Sequence, residues 1–312
     1  MGKTIHRPST SALQCSILRT LAYFDVFGHP LTVAEISRFR DGGPVATSAL
    51  LVALHDLQER GLVEMERDQW GLRDTAVNRD KRNHDERRAA ARMPKALRMS
   101  RLIARFPFVR AVFISGSMSK GRLAADGDID FFIITEPGRL WACRTLLVLF
   151  KKIFLLNSRR DFCINYFLDT EHMTVEDRNH FTATEVVTLL PLYGNGNTEA
   201  FFASNEWAFK TYPHSRPPKS LEVAIGDTGL KRFGEKVLGG RLGEALDAWS
   251  MSLTWRYWRW KFDDLDPSAF DLALRTRTYV SKHHPRNFQA RVLGGYAQRI
   301  AMLERAIGGP LS

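Results

Sequence analysis

A glycine–serine turn is the first feature of this chain whose residue types and spacing could do chemistry. It follows the apolar run 111–114, which predicts a buried strand that enters a turn at Ser115 and Gly116. Glycine lets a backbone approach a ligand closely because it has no Cβ. The free amides of a helix that begins at Ser117 would bind phosphate. The candidate phosphate-binding residues are Gly116, Ser117, Ser119, Lys120 and Arg122.

Two aspartates, separated by one residue, begin the next apolar run, which ends at Ile134. Side chains alternate faces along a strand, so Asp128 and Asp130 would point the same way, roughly 6–7 Å apart. Ile129 would face the opposite side. Two carboxylates on one face suit Mg²⁺ (or Mn²⁺), a hard cation that takes oxygen ligands and keeps waters or substrate phosphates as the others. Asp128 and Asp130 are therefore the candidate catalytic residues.

The two halves together resemble the nucleotidyltransferase superfamily that includes DNA polymerase beta. Gly116-Ser117 after one strand and Asp128-Ile129-Asp130 on the next match that family's motif, within residues 95–170. The resemblance implies a metal-dependent enzyme that transfers a nucleoside monophosphate from Mg-NTP to an acceptor hydroxyl and releases pyrophosphate. Asp128 and Asp130 would hold Mg²⁺, and Ser117 with nearby amides would hold the nucleoside triphosphate. The acceptor stays open between a small molecule, a protein and RNA.

The family carries a third acidic residue on a following strand, and this chain departs from that pattern. The expected strand, 162–168, has Asn165 at the matching position. An amide oxygen can coordinate a metal, but an amide cannot serve as a base. Asp161 and Asp169 would reach the site only through a bulge or a shift of register. A one-metal transferase, a displaced third ligand and a nucleotide-binding relic all stay open. The candidate metal ligands are Asp128, Asp130 and Asn165.

Residues 1–78 predict three helices followed by a hairpin, an order that resembles a winged helix. Thr32 and Glu35 fit a capping box at the start of the second helix, and strands are expected near 62–66 and 70–73. The third helix offers few polar side chains that could read bases, and the hairpin carries acidic residues that would repel phosphate. A module for protein contact or substrate positioning is therefore favoured over DNA binding.

The rest of the chain divides into two predicted parts. Residues 79–170 begin with a basic helix and then alternate strand and helix, which is typical of a small α/β sheet domain. Residues 171–312 look mostly helical, with a flexible turn at 191–197. The expected fold class is an α/β (α+β) nucleotidyltransferase core with an N-terminal winged helix and a C-terminal mostly helical domain. Later helices are predicted at 228–262, 267–281 and 286–307.

Basic residues three or four apart crowd the predicted long helix before the sheet domain. Such a stripe could attract a triphosphate or an RNA backbone, although runs of this kind mostly form solvated faces. Its members are Arg88, Arg92, Lys95, Arg98, Arg101 and Arg105.

Tryptophans interleaved with arginines mark a second stripe, near the end of the chain. Aromatic side chains beside arginine can stack nucleic-acid bases. Core packing, with the arginine stems along the edge of the core, is favoured. The tryptophans are Trp249, Trp255, Trp258 and Trp260.

Whole-chain composition limits the class of protein. The net charge of +11 makes an anionic partner plausible. The apolar stretch 140–156 is interrupted by basic residues, which predicts an amphipathic helix on a sheet and no contact with a membrane. The first residues lack an apolar signal core, and the cysteines form no metal-binding pair. A cytoplasmic location is therefore expected. The cysteines are Cys15, Cys143 and Cys163.

Two alternatives to a transferase stay open. One is a non-catalytic nucleotide-binding or DNA-binding regulator built on a degenerate nucleotidyltransferase core, which Asn165 and the N-terminal segment would suit. The other is an RNA-binding protein that uses the basic helix and the tryptophan stripe. RNA binding of this kind would be sensitive to salt and would survive the loss of Asp128 and Asp130.

Overall fold

The N-terminal part folds as three helices and a hairpin, as the sequence predicts. The computed structural model describes residues 10–73, 79–158, 160–194, 196–221 and 228–311. The first elements are α1 (Ala12–Asp25), α2 (Val33–Phe39), α3 (Thr47–Glu59), β1 (Val63–Glu66) and β2 (Gln69–Leu72). Thr32 and Glu35 each accept a hydrogen bond from the other's backbone amide, so the predicted capping box is confirmed. Residues 74–78, at the predicted domain junction, lie outside the described residues.

A mixed sheet forms the centre of the described molecule. Its strands are β3 (Val109–Ser115), β4 (Asp130–Thr135), β5 (Cys163–Asp169), β6 (Leu190–Tyr193), β7 (Thr276–Arg277) and β8 (Val280–Lys282). The order across the sheet is β6-β3-β4-β5-β8-β7. β4 and β5 are parallel, and the other neighbouring strands are antiparallel. The parallel pair needs a crossover connection, which a helix provides.

Helices cover both faces of this sheet. They are α4 (Arg79–Ala104), α5 (Gly116–Ser119), α6 (Leu140–Phe154), α7 (His180–Thr188), α8 (Asn197–Ser204), α9 (Glu206–Thr211), α10 (Gly229–Leu238), α11 (Arg241–Lys261), α12 (Pro267–Ala273) and α13 (Phe288–Ile307). Phe113 and Phe132 share a core with α1, α7 and α13. Ile129 and Phe131 face a second core with α4, α6 and α11. Alternation along β4 therefore places Asp130 on the face that α1, α7 and α13 cover.

The segment 171–312 supplies both edges of the sheet as well as helices. The helix expected over 267–281 ends at Ala273, because the following residues form a hairpin whose strand β8 pairs with β5. The turn expected at 191–197 contains most of β6, which pairs with β3. Both expectations were wrong because these strands are short and carry little apolar alternation. The chain after Asp169 thus completes the sheet that the earlier residues begin.

The two ends of the described chain pack against each other over the sheet. Arg299 on α13 donates a hydrogen bond to Asp25 on α1 at 2.6 Å. Tyr23 on α1 contacts the rings of His180 and Tyr296 edge-on, with centroids 4.5 and 5.7 Å away. The N-terminal helices, the sheet and α13 therefore share one apolar core.

The apolar stretch 140–156 forms α6, and its first half is buried against the sheet, as predicted. Trp141 and Leu147 have no exposed surface, whereas Lys151 and Lys152 lie in the last turn of the helix. Arg144, in the first half, lies over the rings of Trp141 and Trp258. No helix within the described residues is both long enough and apolar enough to cross a membrane.

Candidate functional site

The glycine–serine turn and Asp130 meet at the end of two neighbouring strands. Ser115, the last residue of β3, is the register partner of Asp130, the first residue of β4. Gly116 follows with φ of +66°, a conformation that side chains rarely adopt. A Cβ on Gly116 would lie 2.5 Å from Oδ2 of Asp130. The structure thus brings the turn and Asp130 directly together.

Asp130 sits in a poorly solvated position. Burial raises the pKa of Asp130 to about 7, and the nearby carboxylates of Asp128 and Glu185 act in the same direction. A hydrogen bond with Cys163 and the charge of Lys120 lower it, but less than burial raises it. At neutral pH this carboxyl is therefore close to half protonated, and a cation at the site would favour its ionised form.

Asn165 contacts Asp130 because of a bulge in β5. The register runs from Phe131 opposite Ile164 to Phe132 opposite Tyr166, which leaves Asn165 as the extra residue. The Nδ2 amide of Asn165 donates to Oδ1 of Asp130 at 2.9 Å. Its Oδ1 oxygen is buried and has no hydrogen-bond partner. An unpaired buried oxygen of this kind calls for a donor or a cation.

Asp161 and Asp169, the two acids that could have replaced Asn165, are engaged elsewhere. Asp161 accepts a hydrogen bond from Arg92 at 2.6 Å and also pairs with Lys95, both from α4. Asp169 is the register partner of Thr135, at the far end of β4 from Asp130. Its carboxylate accepts from the backbone amide of His172 at 2.8 Å. The bulge therefore brings the amide to the site and neither acid.

A different carboxylate, Glu185 on α7, reaches the site from outside the motif. Its Oε2 accepts a hydrogen bond from the amide of Gly116 at 3.3 Å, and its Oε1 accepts from Lys120 Nζ at 2.7 Å. Glu185 is the site residue that the sequence analysis missed. The sequence predicted a helix around it, but no local spacing links it to Gly116, which lies 69 positions away.

The remaining candidates for phosphate binding take different positions. Ser117, Lys120 and Arg122 line the cavity beside the turn, whereas Ser119 is not among its lining residues. The Ser119 hydroxyl donates to the carbonyl of Gly116 at 2.9 Å and so stabilises the turn. Burial lowers the pKa of Arg122 to about 10, although it remains a cation at neutral pH. Two cations, Lys120 and Arg122, therefore face this part of the cavity.

Asp128 lies just before β4 and outside the residues that line the cavity. It is near enough to Asp130 for its charge to raise the pKa of that carboxyl. The flanking Ile129 is fully buried on the opposite face, as predicted, and its amide donates to the carbonyl of Arg160 at 3.0 Å. The strand entry is thus fixed, with Asp130 inside the cavity and Asp128 beside it.

The cavity next to Asp130 has a volume of about 370 Å³, and its walls come from several segments between Phe24 and Gln289. Most of its lining is apolar, which is typical of pockets for small molecules. Polar side chains from the C-terminal segment, including Lys282 and His284, complete the wall. Burial lowers the pKa of His284 to about 4, so this histidine is neutral at pH 7. The aromatic lining residues are Phe24, Phe27, Phe132, Tyr166, Phe181 and Phe288.

The donor set at Asp130 fits Mg²⁺ better than a metal that needs a dense cluster of ligands. Within the described residues, no group of three or more His, Cys, Asp or Glu side chains could hold a metal ion. Mg²⁺ is commonly bound through one or two carboxylates together with waters and substrate phosphates. Asp130 and the unpaired oxygen of Asn165 line the cavity and would supply oxygen ligands to such a set, with the charge of Asp128 nearby.

The basic stripe on α4 is partly used in internal ion pairs. Besides Arg92 and Lys95, which bind Asp161, Arg88 pairs with Asp85 at 2.6 Å. The pair of Arg88 with Asp85 lies within α4, whereas the contacts with Asp161 tie α4 to the chain just before β5. Arg98, Arg101 and Arg105 are exposed. Half of the predicted stripe is therefore committed within the molecule.

Comparison with models of protein families, with curated proteins and with solved structures found no match to this chain.

Proposed function

We propose that this protein is a nucleotidyltransferase that moves a nucleoside monophosphate from Mg-NTP to a hydroxyl group of a small-molecule acceptor. The core would be of the nucleotidyltransferase type, with a winged-helix-like N-terminal part and a helix-rich C-terminal part. One observation carries the proposal: the turn at Gly116 lies so close to the carboxylate of Asp130 that a Cβ on Gly116 would clash with it.

In this proposal the residues of the turn bind the triphosphate. The Gly116 amide and the Lys120 ammonium now bond to Glu185, a carboxylate in the position where a phosphate oxygen would serve as acceptor. Charge-assisted hydrogen bonds of this kind are stronger than neutral ones. Arg122 adds a second cation to the same wall. The triphosphate would displace Glu185 from these donors and take over their hydrogen bonds.

Asp130 and Asp128, with the Asn165 oxygen, would hold Mg²⁺ or Mn²⁺. The cation, when bound, supplies neutralisation of phosphate charge during the in-line displacement. The chain itself orients the reactants and keeps water away. Glu185, once released from Lys120, lies at the same edge of the cavity and could accept the proton of the acceptor hydroxyl.

The shape of the cavity supports a small acceptor. Phe24 and Phe27 come from the N-terminal part, and Phe288 comes from the start of α13. A space walled from both ends of the chain suits a compact molecule with an apolar body more than an RNA end or a protein side chain.

The contacts of the N-terminal part support a positioning role in preference to DNA reading. On α3, Asp56 accepts a hydrogen bond from Gln14 at 2.5 Å, and Arg60 donates to Thr10 at 2.9 Å. Polar side chains that bond to neighbouring segments are not free to read base edges. Helix α1 meanwhile contributes Phe24 to the cavity wall.

A second candidate function is nucleotide binding without transfer. It is favoured by Asn165, which occupies the expected position of the third acid and donates its amide to Asp130. Such a protein would bind NTP with a divalent cation and would release it unchanged.

The test is incubation with each radiolabelled NTP, Mg²⁺ or Mn²⁺, and three acceptor pools: metabolites, RNA and proteins from a cell extract. Asp130→Asn removes the acid, and Asp161→Asn is the matched control, just before strand β5. Label on metabolites with wild type and Asp161→Asn, but not with Asp130→Asn, supports the transferase. Label on RNA or protein overturns the small acceptor. Cation-dependent NTP binding without transfer supports the second candidate, and the absence of both overturns both.

A further inference from the structure

Helix α10 presents its apolar side chains to solvent and its polar side chains to the protein. Leu230, Phe233 and Val237, spaced three and four residues apart, are 78%, 65% and 46% exposed. On the inner side, the Lys231 ammonium is buried and donates to the carbonyls of Ala104 and Val109, at 3.1 and 2.8 Å. A surface helix of a globular protein normally has the reverse arrangement.

Helix α11, which packs against α10, carries a second exposed apolar stripe. The four tryptophans were expected to be core residues, but only Trp258 is buried, against Trp141. The prediction was wrong for the others because α11 packs inward through the small and polar residues Gly243, Asp247 and Ser250. Its exposed side carries a stripe at helical spacing. The stripe consists of Leu242, Trp249, Leu253, Tyr257 and Trp260.

Exposed basic residues flank both stripes. Across α10 and α11, five exposed side chains are basic and only Glu244 is both acidic and exposed. A second copy of this chain seated here would oppose one basic surface to another, which like-charge repulsion disfavours. An anionic surface would complement it. The five basic residues are Arg232, Lys236, Arg241, Arg256 and Lys261.

We propose that α10 and α11 form a docking surface for the face of an anionic phospholipid membrane. Helices that lie in the plane of a membrane interface combine Leu, Phe and Trp on one side with Lys and Arg beside them. Trp and Tyr are enriched at the level of the lipid headgroups, where Trp249, Tyr257 and Trp260 would insert. An anionic leaflet attracts the flanking basic residues. The binding is peripheral, and it does not depend on the chemistry of the Asp130 site.

The test is co-sedimentation of the full chain with sucrose-loaded vesicles of phosphatidylcholine, either pure or with roughly a third phosphatidylserine. The double variant Phe233→Asp and Trp260→Asp places an acid on each helix at positions 65% and 75% exposed. The matched control is Val52→Asp on α3, where the side chain is 70% exposed. Near-ultraviolet circular dichroism verifies that the variants fold.

Wild type and Val52→Asp are expected to bind the anionic vesicles, and the binding is expected to weaken at high salt. The double variant is expected to lose at least about tenfold in partitioning, since an acid both removes apolar contact and repels the leaflet. Absence of wild-type binding overturns the proposal, as does equal binding by the double variant. A wild-type dimer in light scattering that the double variant abolishes would assign the surface to a second copy and overturn it too.

Discussion

The α-carbon of Gly116 faces the carboxylate of Asp130 so closely that a methyl group on it would lie 2.5 Å from Oδ2. Two residues that are fourteen positions apart in the sequence are thereby brought into contact. The glycine is required twice, once for its backbone angle of +66° and once for the space that the acid occupies.

Gly116→Ala is expected to lower nucleotide transfer by at least about a hundredfold, because the new methyl group displaces the carboxylate by more than positioning tolerates. Gly121→Ala is the matched control. It also has a positive φ, +71°, but no atom lies within 4 Å of its added Cβ. It is expected to lose roughly 1 kcal/mol of stability and to keep its activity. Transfer activity and urea unfolding are measured for both variants. Equal loss of activity in both would contradict a specific role for the space between Gly116 and Asp130.

Asp130→Asn is expected to stabilise the metal-free protein while it abolishes transfer. The folded-state pKa of Asp130 is raised from 3.8 to about 7, so the folded state keeps a proton that the unfolded state has lost across this interval. The contribution of Asp130 to stability therefore falls as pH rises from about 4 to 7. At pH 8 the variant should gain roughly 1–4 kcal/mol, measured by urea unfolding. Asp161→Asn, which breaks the contacts with Arg92 and Lys95, should lose stability. A destabilised Asp130→Asn would contradict the assigned burial.

Lys120→Met and Glu185→Gln are expected to change triphosphate binding in opposite directions. The first removes a cation that phosphate would bind, and should weaken binding at least about tenfold. The second keeps a hydrogen-bond acceptor but removes a negative charge that repels phosphate, and should strengthen binding about three- to tenfold. Calorimetry with a non-hydrolysable NTP and Mg²⁺ measures both. The exposed pair Lys210 and Glu206 supplies matching control substitutions, which should change nothing. A change of triphosphate affinity in the same direction for both site variants would contradict the competition between Glu185 and the triphosphate for Lys120.

Acid is expected to remove a contribution to stability that the buried, neutral side chain of His180 makes above pH 6.5. Burial lowers the pKa of His180 to about 4, so in the folded state this residue stays neutral while the unfolded chain takes up a proton near pH 6.5. The contribution of His180 to stability therefore declines as pH falls from 6.5 to about 4. His180→Gln can still bond the Tyr212 hydroxyl, now 2.9 Å from Nε2. Urea unfolding at several pH values should show a shallower decline for the variant, by up to ~3 kcal/mol. An unchanged slope would contradict this role of His180.

Local signals predicted the parts of the fold that short-range physics decides. Thr32 and Glu35 form their capping box because the cap needs only residues three apart. Gly116 and Asp130 could be placed together because a turn joins strands that pair. In both cases the geometry depends on residues that are close in the sequence.

Contacts between distant segments could not be predicted in the same way. Glu185 reaches Gly116 across 69 positions, and nothing in its own helix marks it as a site residue. The stripe that includes Trp249 and Trp260 showed that one face of α11 is apolar, but periodicity cannot tell whether a face is covered. Strand β8 has only three residues, and its pairing with β5 depends on a neighbour more than a hundred positions earlier.

Walls from both ends of the chain have a consequence for biosynthesis. Phe24 is among the first described residues to leave a ribosome, and Phe288 is among the last. Until residues 288–307 have emerged, α1 has no α13 to pack against and the space beside Asp130 is open to water. Contacts of such long sequence separation form slowly. The cavity beside Asp130 therefore closes in the nascent chain only after residues 288–307 have emerged.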